Sequence, residues 1–198
     1  ASEVQGAQMA PVNVARDVHG VQIGVVNFAR TSDLSIGVVS IVTEGRTHID
    51  AWTNEQGFVL AGVKHGGDRW HNIYALGMQP VDEDRTATAL LGFGIHNPAG
   101  ERLFLDVDAL GRFDFVPWWG TTWVDGTVYT TTTTLRLNVG LKLLDDIAVM
   151  AGPTYNVGWV PVCDCAPDAL PAGMTRFWAG DGVELRGWPG FSLGVQAF

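Results

Sequence analysis

Lysine is nearly absent from this chain: Lys64 and Lys142 are the only two in 198 residues. Soluble surfaces use lysine freely because water hydrates its ammonium well, so this chain is not dressed like an ordinary soluble domain. Charged residues make up 17% of the sequence, below the roughly 25% of soluble domains. No run of 18 apolar residues occurs, which excludes a transmembrane helix. Excess positive charge is also lacking. A net charge of −9 argues against nucleic acid and against a polybasic reading of anionic lipid. Cysteine is limited to Cys163 and Cys165, with no histidine nearby in sequence. That pair suits a loop disulfide, or free or intermolecular thiols, and is too few for structural zinc. The five histidines show no metal spacing, and no Gly-x-Ser-x-Gly occurs. Neither a metal nor another cofactor is expected.

What is present is strand. From Tyr129, the odd positions of 127–143 read Tyr129, Thr131, Thr133, Leu135, Leu137, Val139, Leu141, Leu143. The even positions read Thr130, Thr132, Thr134, Arg136, Asn138, Gly140, Lys142. Alternate side chains of a strand point to opposite faces, so the run has one apolar wall and one polar wall. Its length suffices to cross a bilayer as a tilted strand. The same alternation recurs in 86–96, 101–110, 146–160 and the last strand. Further strands are expected at 47–53, 56–64, 69–78 and 112–119, with turn-rich links between them. Two near-repeats, 20–29 and 34–42, share Ile-Gly-Val-Val and read as a β-hairpin across Arg-Thr-Ser-Asp. Residues 1–18 show no clear pattern and read as a lead-in.

The polar faces hold Gly, Thr and Asn, while charges concentrate in links such as Asp82-Glu-Asp-Arg85. Trp and Tyr gather toward strand ends, as an interfacial girdle requires. The expectation is a single all-β domain over 1–198, an antiparallel transmembrane β-barrel of about 10–12 strands. The chain ends Gly190-Phe-Ser-Leu-Gly-Val-Gln-Ala-Phe198, a terminal aromatic after an alternating strand. This ending resembles the C-terminal signature of small Gram-negative outer-membrane β-barrels, although Phe198 falls in phase with Gln196 and not with the apolar face. The Val-Gln-Ile-Gly-Val-Val-Asn segment resembles repeats of uncharacterised bacterial surface proteins. The resemblance implies an exported protein in the bacterial outer membrane, and an Ala-Ser-Glu start fits removal of a signal peptide.

The polar phase nominates Asp106, Asp108, Arg136, Asn138, Lys142, Glu184 and Arg186 as lumen or pore-lining residues. In a narrow barrel such groups either set selectivity or pair with one another and fill the interior. Arg136→Leu is then expected to leave insertion intact. The function expected is non-enzymatic: a narrow, porin-like channel, or a structural or partner-binding envelope component. Two alternatives differ in class. One is an outer-membrane lipid-modifying enzyme, for which Ser192 and His96 share polar phases. The other is a soluble exported β-barrel binding protein with tryptophans stacking on a ligand. His48 and Asp50 share a strand face and could pair. Outer-membrane lipid is the expected surround, and the long loop 161–174, stiffened by prolines, is the candidate for protein partners.

Overall fold

The computed structural model describes residues 2–80, 86–115, 130–161, 173–180 and 182–198. Four strands come first: β1 (Glu3–Met9), β2 (Val12–Val14), β3 (Asp17–Ala29) and β4 (Thr31–Val42). β1 and β2 pair with β3, and β3 pairs with β4, all parallel. Asp17 lies beside Thr31 and Ala29 beside Val42, yet only Arg30 separates the two strands. The chain therefore comes full circle every 13–14 residues and stacks on itself, as a short solenoid. Gly6 and Gly20 sit at the same point of successive coils with φ of 98° and 136°; a Cβ on Gly20 would strike the Gly6 carbonyl.

The expected hairpin over 20–29 and 34–42 is thus corrected. The near-repeats lie in parallel register, Ile23 on Ile36, Gly24 on Gly37, Val26 on Val39, Asn27 on Ser40. Stacking like on like lets Asn13 Nδ2 donate to Asn27 Oδ1 at 2.8 Å and Asn27 Nδ2 donate to Ser40 Oγ at 3.1 Å. A hairpin would set each repeat against its own reverse and break that ladder. The described part of the expected lead-in, from residue 2, is likewise structured, and its strands β1 and β2 supply the first coil.

The remaining strands are β5 (Arg46–Asn54), β6 (Val59–Gly66), β7 (Trp70–Met78), β8 (Ala87–Pro98), β9 (Leu103–Phe115), β10 (Thr131–Leu144), β11 (Ile147–Pro161), β12 (Thr175–Gly180) and β13 (Val183–Ala197). Neighbours pair antiparallel from β5 to β11; β13 closes the ring by pairing with both β11 and β5. The antiparallel barrel expected from the alternation is present, and its ring has eight strands, not ten to twelve. Two differences account for the count. β3 and β4 belong to the solenoid, and no break separates the strand expected at 101–110 from the one expected from 112 on, because β9 pairs with β10 continuously from Leu103 through Gly111 to Phe113. β12 is a short side strand paired with the first residues of β13, Val183 to Gly187.

One end of the ring carries the tight links 67–69, 99–102 and 145–146, together with Phe198. The other end carries the link 55–58 and the strand ends Met78, Ala87, Phe115, Thr131 and Pro161. Along β10 the outward Leu135, Val139 and Leu143 are exposed, while the inward Thr132, Arg136 and Asn138 are buried. Leu193 and Val195 of β13 face out as Ser192 and Gln196 face in. Apolar side chains clad the outside of these strands while charged, amide and hydroxyl groups face in, the reverse of a soluble barrel.

The solenoid docks end-on against the outside of β6 and β7. Backbone groups along β4 meet side chains of the wall: Ser40 N–H donates to Tyr74 Oη at 2.9 Å, Val42 N–H donates to His65 Nε2 at 2.9 Å, and Asn72 Nδ2 donates to the Ser35 carbonyl at 2.8 Å. These bonds satisfy peptide groups that the last coil would otherwise leave open.

Candidate functional site

The barrel interior is built in layers. Nearest the tight-link end, consecutive strands β5 to β10 each aim an inward residue at one buried cluster. Lys64 on β6 is 1% exposed and bridges Asp50 on β5, at 3.1 Å, and Asp106 on β9. Arg136 on β10 grips Asp108 Oδ2 through Nε at 3.0 Å and Nη2 at 2.8 Å. The other oxygens of the two β9 carboxylates take imidazoles: His96 Nδ1 lies 2.7 Å from Asp106 Oδ1, and His71 Nε2 lies 2.8 Å from Asp108 Oδ1. Register explains these partners. Arg136 stands directly opposite Asp108, and His96 directly opposite Asp106. His71 reaches Asp108 across Gly94 of the strand between them, and a Cβ there would lie 2.7 Å from the imidazole.

Three carboxylates thus face two permanent cations and two imidazoles, all in a low-dielectric interior. Such a lattice holds only while every charge keeps its partner. His71, Asp106 and Asp108 bring ligand atoms within 4.8 Å of one another. Lys64 and Arg136 already fill the cation positions beside those carboxylates, so the donor set does not fit a metal. Asn138 accepts from Ser192 Oγ, and Gln196 Nε2 donates to Asp50 Oδ1 at 2.9 Å.

Above the charges lies an apolar layer of Trp52, Leu60, Ile73, Leu90, Leu110 and Met150. The Arg136 guanidinium sits 4.8 Å over the Trp52 ring and joins the two layers. The β5–β6 turn folds in over the top. Glu55 accepts from Trp188 Nε1 at 2.8 Å and from Asn156 Nδ2 at 2.9 Å, and Gln56 Oε1 accepts from Arg112 at 2.6 Å. Between these layers lies a cavity of about 20 Å³, room for roughly one water. At the tight-link mouth, Phe198 packs 4.7 Å from His48 and 5.9 Å from Phe104, with the Lys142 ammonium 4.5 Å over its ring. Its inward phase in the sequence is what carries it into that mouth.

Of the seven polar-phase candidates, Asp106, Asp108 and Arg136 meet in the buried cluster, and Asn138, opposite Asp106 in register, bonds Ser192 beside it. Lys142 lies at the tight-link mouth with Phe198. Glu184 and Arg186 lie at the opposite end, where Glu184 accepts from Arg186 Nε at 2.6 Å and from Arg176 at 3.2 Å. They line an open groove of about 300 Å³ with Met174 and Arg176. Cys163, Cys165 and most of 161–174 lie outside the described residues, as does 82–85. His48 and Asp50 take different partners, His96 and Phe198 for one, Lys64 and Gln196 for the other. Ser192 and His96 are likewise committed elsewhere, to Asn138 and Asp106. The sequence reading missed Lys64, His71 and the closing role of Glu55. The scarcity of lysine was the available signal: one of only two is the hub of the cluster.

No family model matches the sequence, and no curated protein matches it. Among solved structures, the chain is similar to a de novo designed transmembrane β-barrel, at 10% identity over 76% of this chain and 91% of that one, with a TM-score of 0.41. It is similar to the same degree to Neisserial surface protein A, at 10% identity over 76% of this chain and 93% of that one, TM-score 0.41.

Proposed function

We propose that this chain is a bacterial outer-membrane β-barrel that serves as a filled, non-conducting anchor, a structural and partner-presenting component of the envelope. The observation that carries the reading is the reversed polarity of an eight-stranded ring: leucine and valine outside, a lattice of paired ions inside. Hydrocarbon satisfies the outside, and closure of the ring leaves no strand edge to it. Eight strands enclose just enough room for side chains. Here they are used up by the cluster, the apolar layer and the inturned Glu55. That filling favours the structural role over the narrow channel.

The role is non-enzymatic. A Ser–His pair needs hydrogen-bond reach, and the Ser192 hydroxyl and His96 imidazole serve Asn138 and Asp106 instead. Partner contact belongs to the end with long connections, 161–174 first among them, since loops on a rigid scaffold are where recognition is carried. The test is conductance of the purified protein in planar bilayers. The reading expects a silent membrane from the parent protein. Discrete, reproducible channel steps from correctly folded protein would return the channel reading.

A further inference from the structure

The solenoid changes polarity along each coil, and the change runs parallel to the barrel wall. At the corner that includes residues 15–18 and 29–32, the outside is charged and the inside apolar. Arg30 pairs with Asp17 at 2.8 Å and with Glu44 at 3.2 Å, while Val18, Ala15 and Ala29 pack within. Toward the opposite end of the coil the order inverts. Asn13, Asn27 and Ser40 form a hydrogen-bonded column inside. The outside carries two apolar columns, Val12–Val26–Val39 and Val14–Phe28–Ile41, each residue between 36% and 62% exposed. Water accounts for the first arrangement and fails to account for the second.

The docking contacts set the depth of each part. The charged corner lies level with the tight link after β6, where Gly67 approaches the Ser32 carbonyl and Arg46 pairs with Asp68 at 3.1 Å. The inverted end is fixed to Tyr74, at the middle of β7. Its apolar columns therefore continue the apolar belt of the barrel at the same height. We infer that the solenoid dips into the bilayer beside the barrel from the tight-link side, with the Val26 and Phe28 columns of its second and third coils in contact with lipid acyl chains. This rests on the membrane reading of the barrel. The contact is confined to those flanks. The outer edge of β1 presents peptide groups that hydrocarbon does not satisfy, so it suits another strand and not lipid.

The test uses the full chain with Cys163→Ser and Cys165→Ser, carrying a single NBD label in phosphatidylcholine vesicles with mid-chain doxyl lipid. Labels go at Val26→Cys, Val39→Cys, Asp33→Cys and Leu137→Cys, each first checked for a folded, heat-shiftable band. The inference expects quenching at Val26 and Val39 within about twofold of that at Leu137, and little at Asp33. Quenching at Leu137 with none at Val26 and Val39 overturns the lipid-facing solenoid and leaves the membrane barrel standing. No quenching at Leu137 overturns both.

Discussion

Lys64→Met is the substitution that probes the interior most sharply. The ammonium lies 3.1 Å from Asp50 and bonds Asp106, and both carboxylates are at most 1% exposed. Methionine preserves much of the volume and removes the charge, leaving two buried carboxylates short of their shared cation. Gln196 still donates to Asp50 and His96 still meets Asp106, so neither is fully orphaned. Removing one partner of a buried pair costs about 3–5 kcal/mol. With a slope of about 2 kcal/mol per molar urea, the unfolding midpoint in micelles falls by about 2 M. Adding Asp50→Asn and Asp106→Asn to Lys64→Met is expected to restore much of the loss, because a neutral replacement of the whole group carries no uncompensated charge. The assay is urea titration followed by tryptophan fluorescence and by loss of the heat-shiftable band. A Lys64→Met midpoint indistinguishable from the parent's refutes the claim that the interior is held by this lattice.

Three further expectations follow from the faces and the docking contacts. Leu137→Arg puts a charge on the lipid face at about 2–4 kcal/mol and should reduce assembled barrel in membrane fractions; undiminished assembly contradicts the outward assignment of Leu137. Tyr74→Phe removes the hydroxyl that accepts from Ser40 N–H. At about 1 kcal/mol for such a bond, amide protection in β4 should fall about fivefold by hydrogen exchange, with the barrel strands unaffected. The Arg30 guanidinium, aided by the Thr31 hydroxyl, holds the Asp17 carboxyl below its ordinary range. A lowered folded value stabilises above the ordinary carboxylate pKa and is lost as pH falls through the folded one. Protection of the coils should therefore decline below about pH 4 in the parent, and Asp17→Asn should flatten that decline; equal acid sensitivity in both proteins counts against the pair.

Strand positions and faces were legible because alternation has a period of two, and a buried interior fixes which phase points in. β10 is the clear case, with Arg136 and Asn138 in and Leu137 and Val139 out. Pairing direction was not legible, since alternation is the same in a hairpin and in a stack. The clue was a third, fainter copy one residue further off, 14 residues back instead of 13: Val4 with Val18, Gly6 with Gly20, Gln8 with Gln22, Asn13 with Asn27. Hairpin strands have no reason to repeat three times in step, whereas coils do. The partners inside the barrel were hidden for a related reason. They depend on register between strands far apart in sequence, such as Lys64 with Asp106, which composition and phase leave open. That is why Arg136→Leu looks harmless from the sequence, while two bonds to Asp108 make it a costly loss in the fold.

The most direct test of a closed barrel in the membrane is electrophoretic mobility of membrane-extracted protein with and without boiling. The account predicts a faster, compact band without boiling, a shift on heating, and precipitation once detergent is removed. A single mobility in both lanes, with a protein that stays soluble and monomeric in plain buffer, would contradict it.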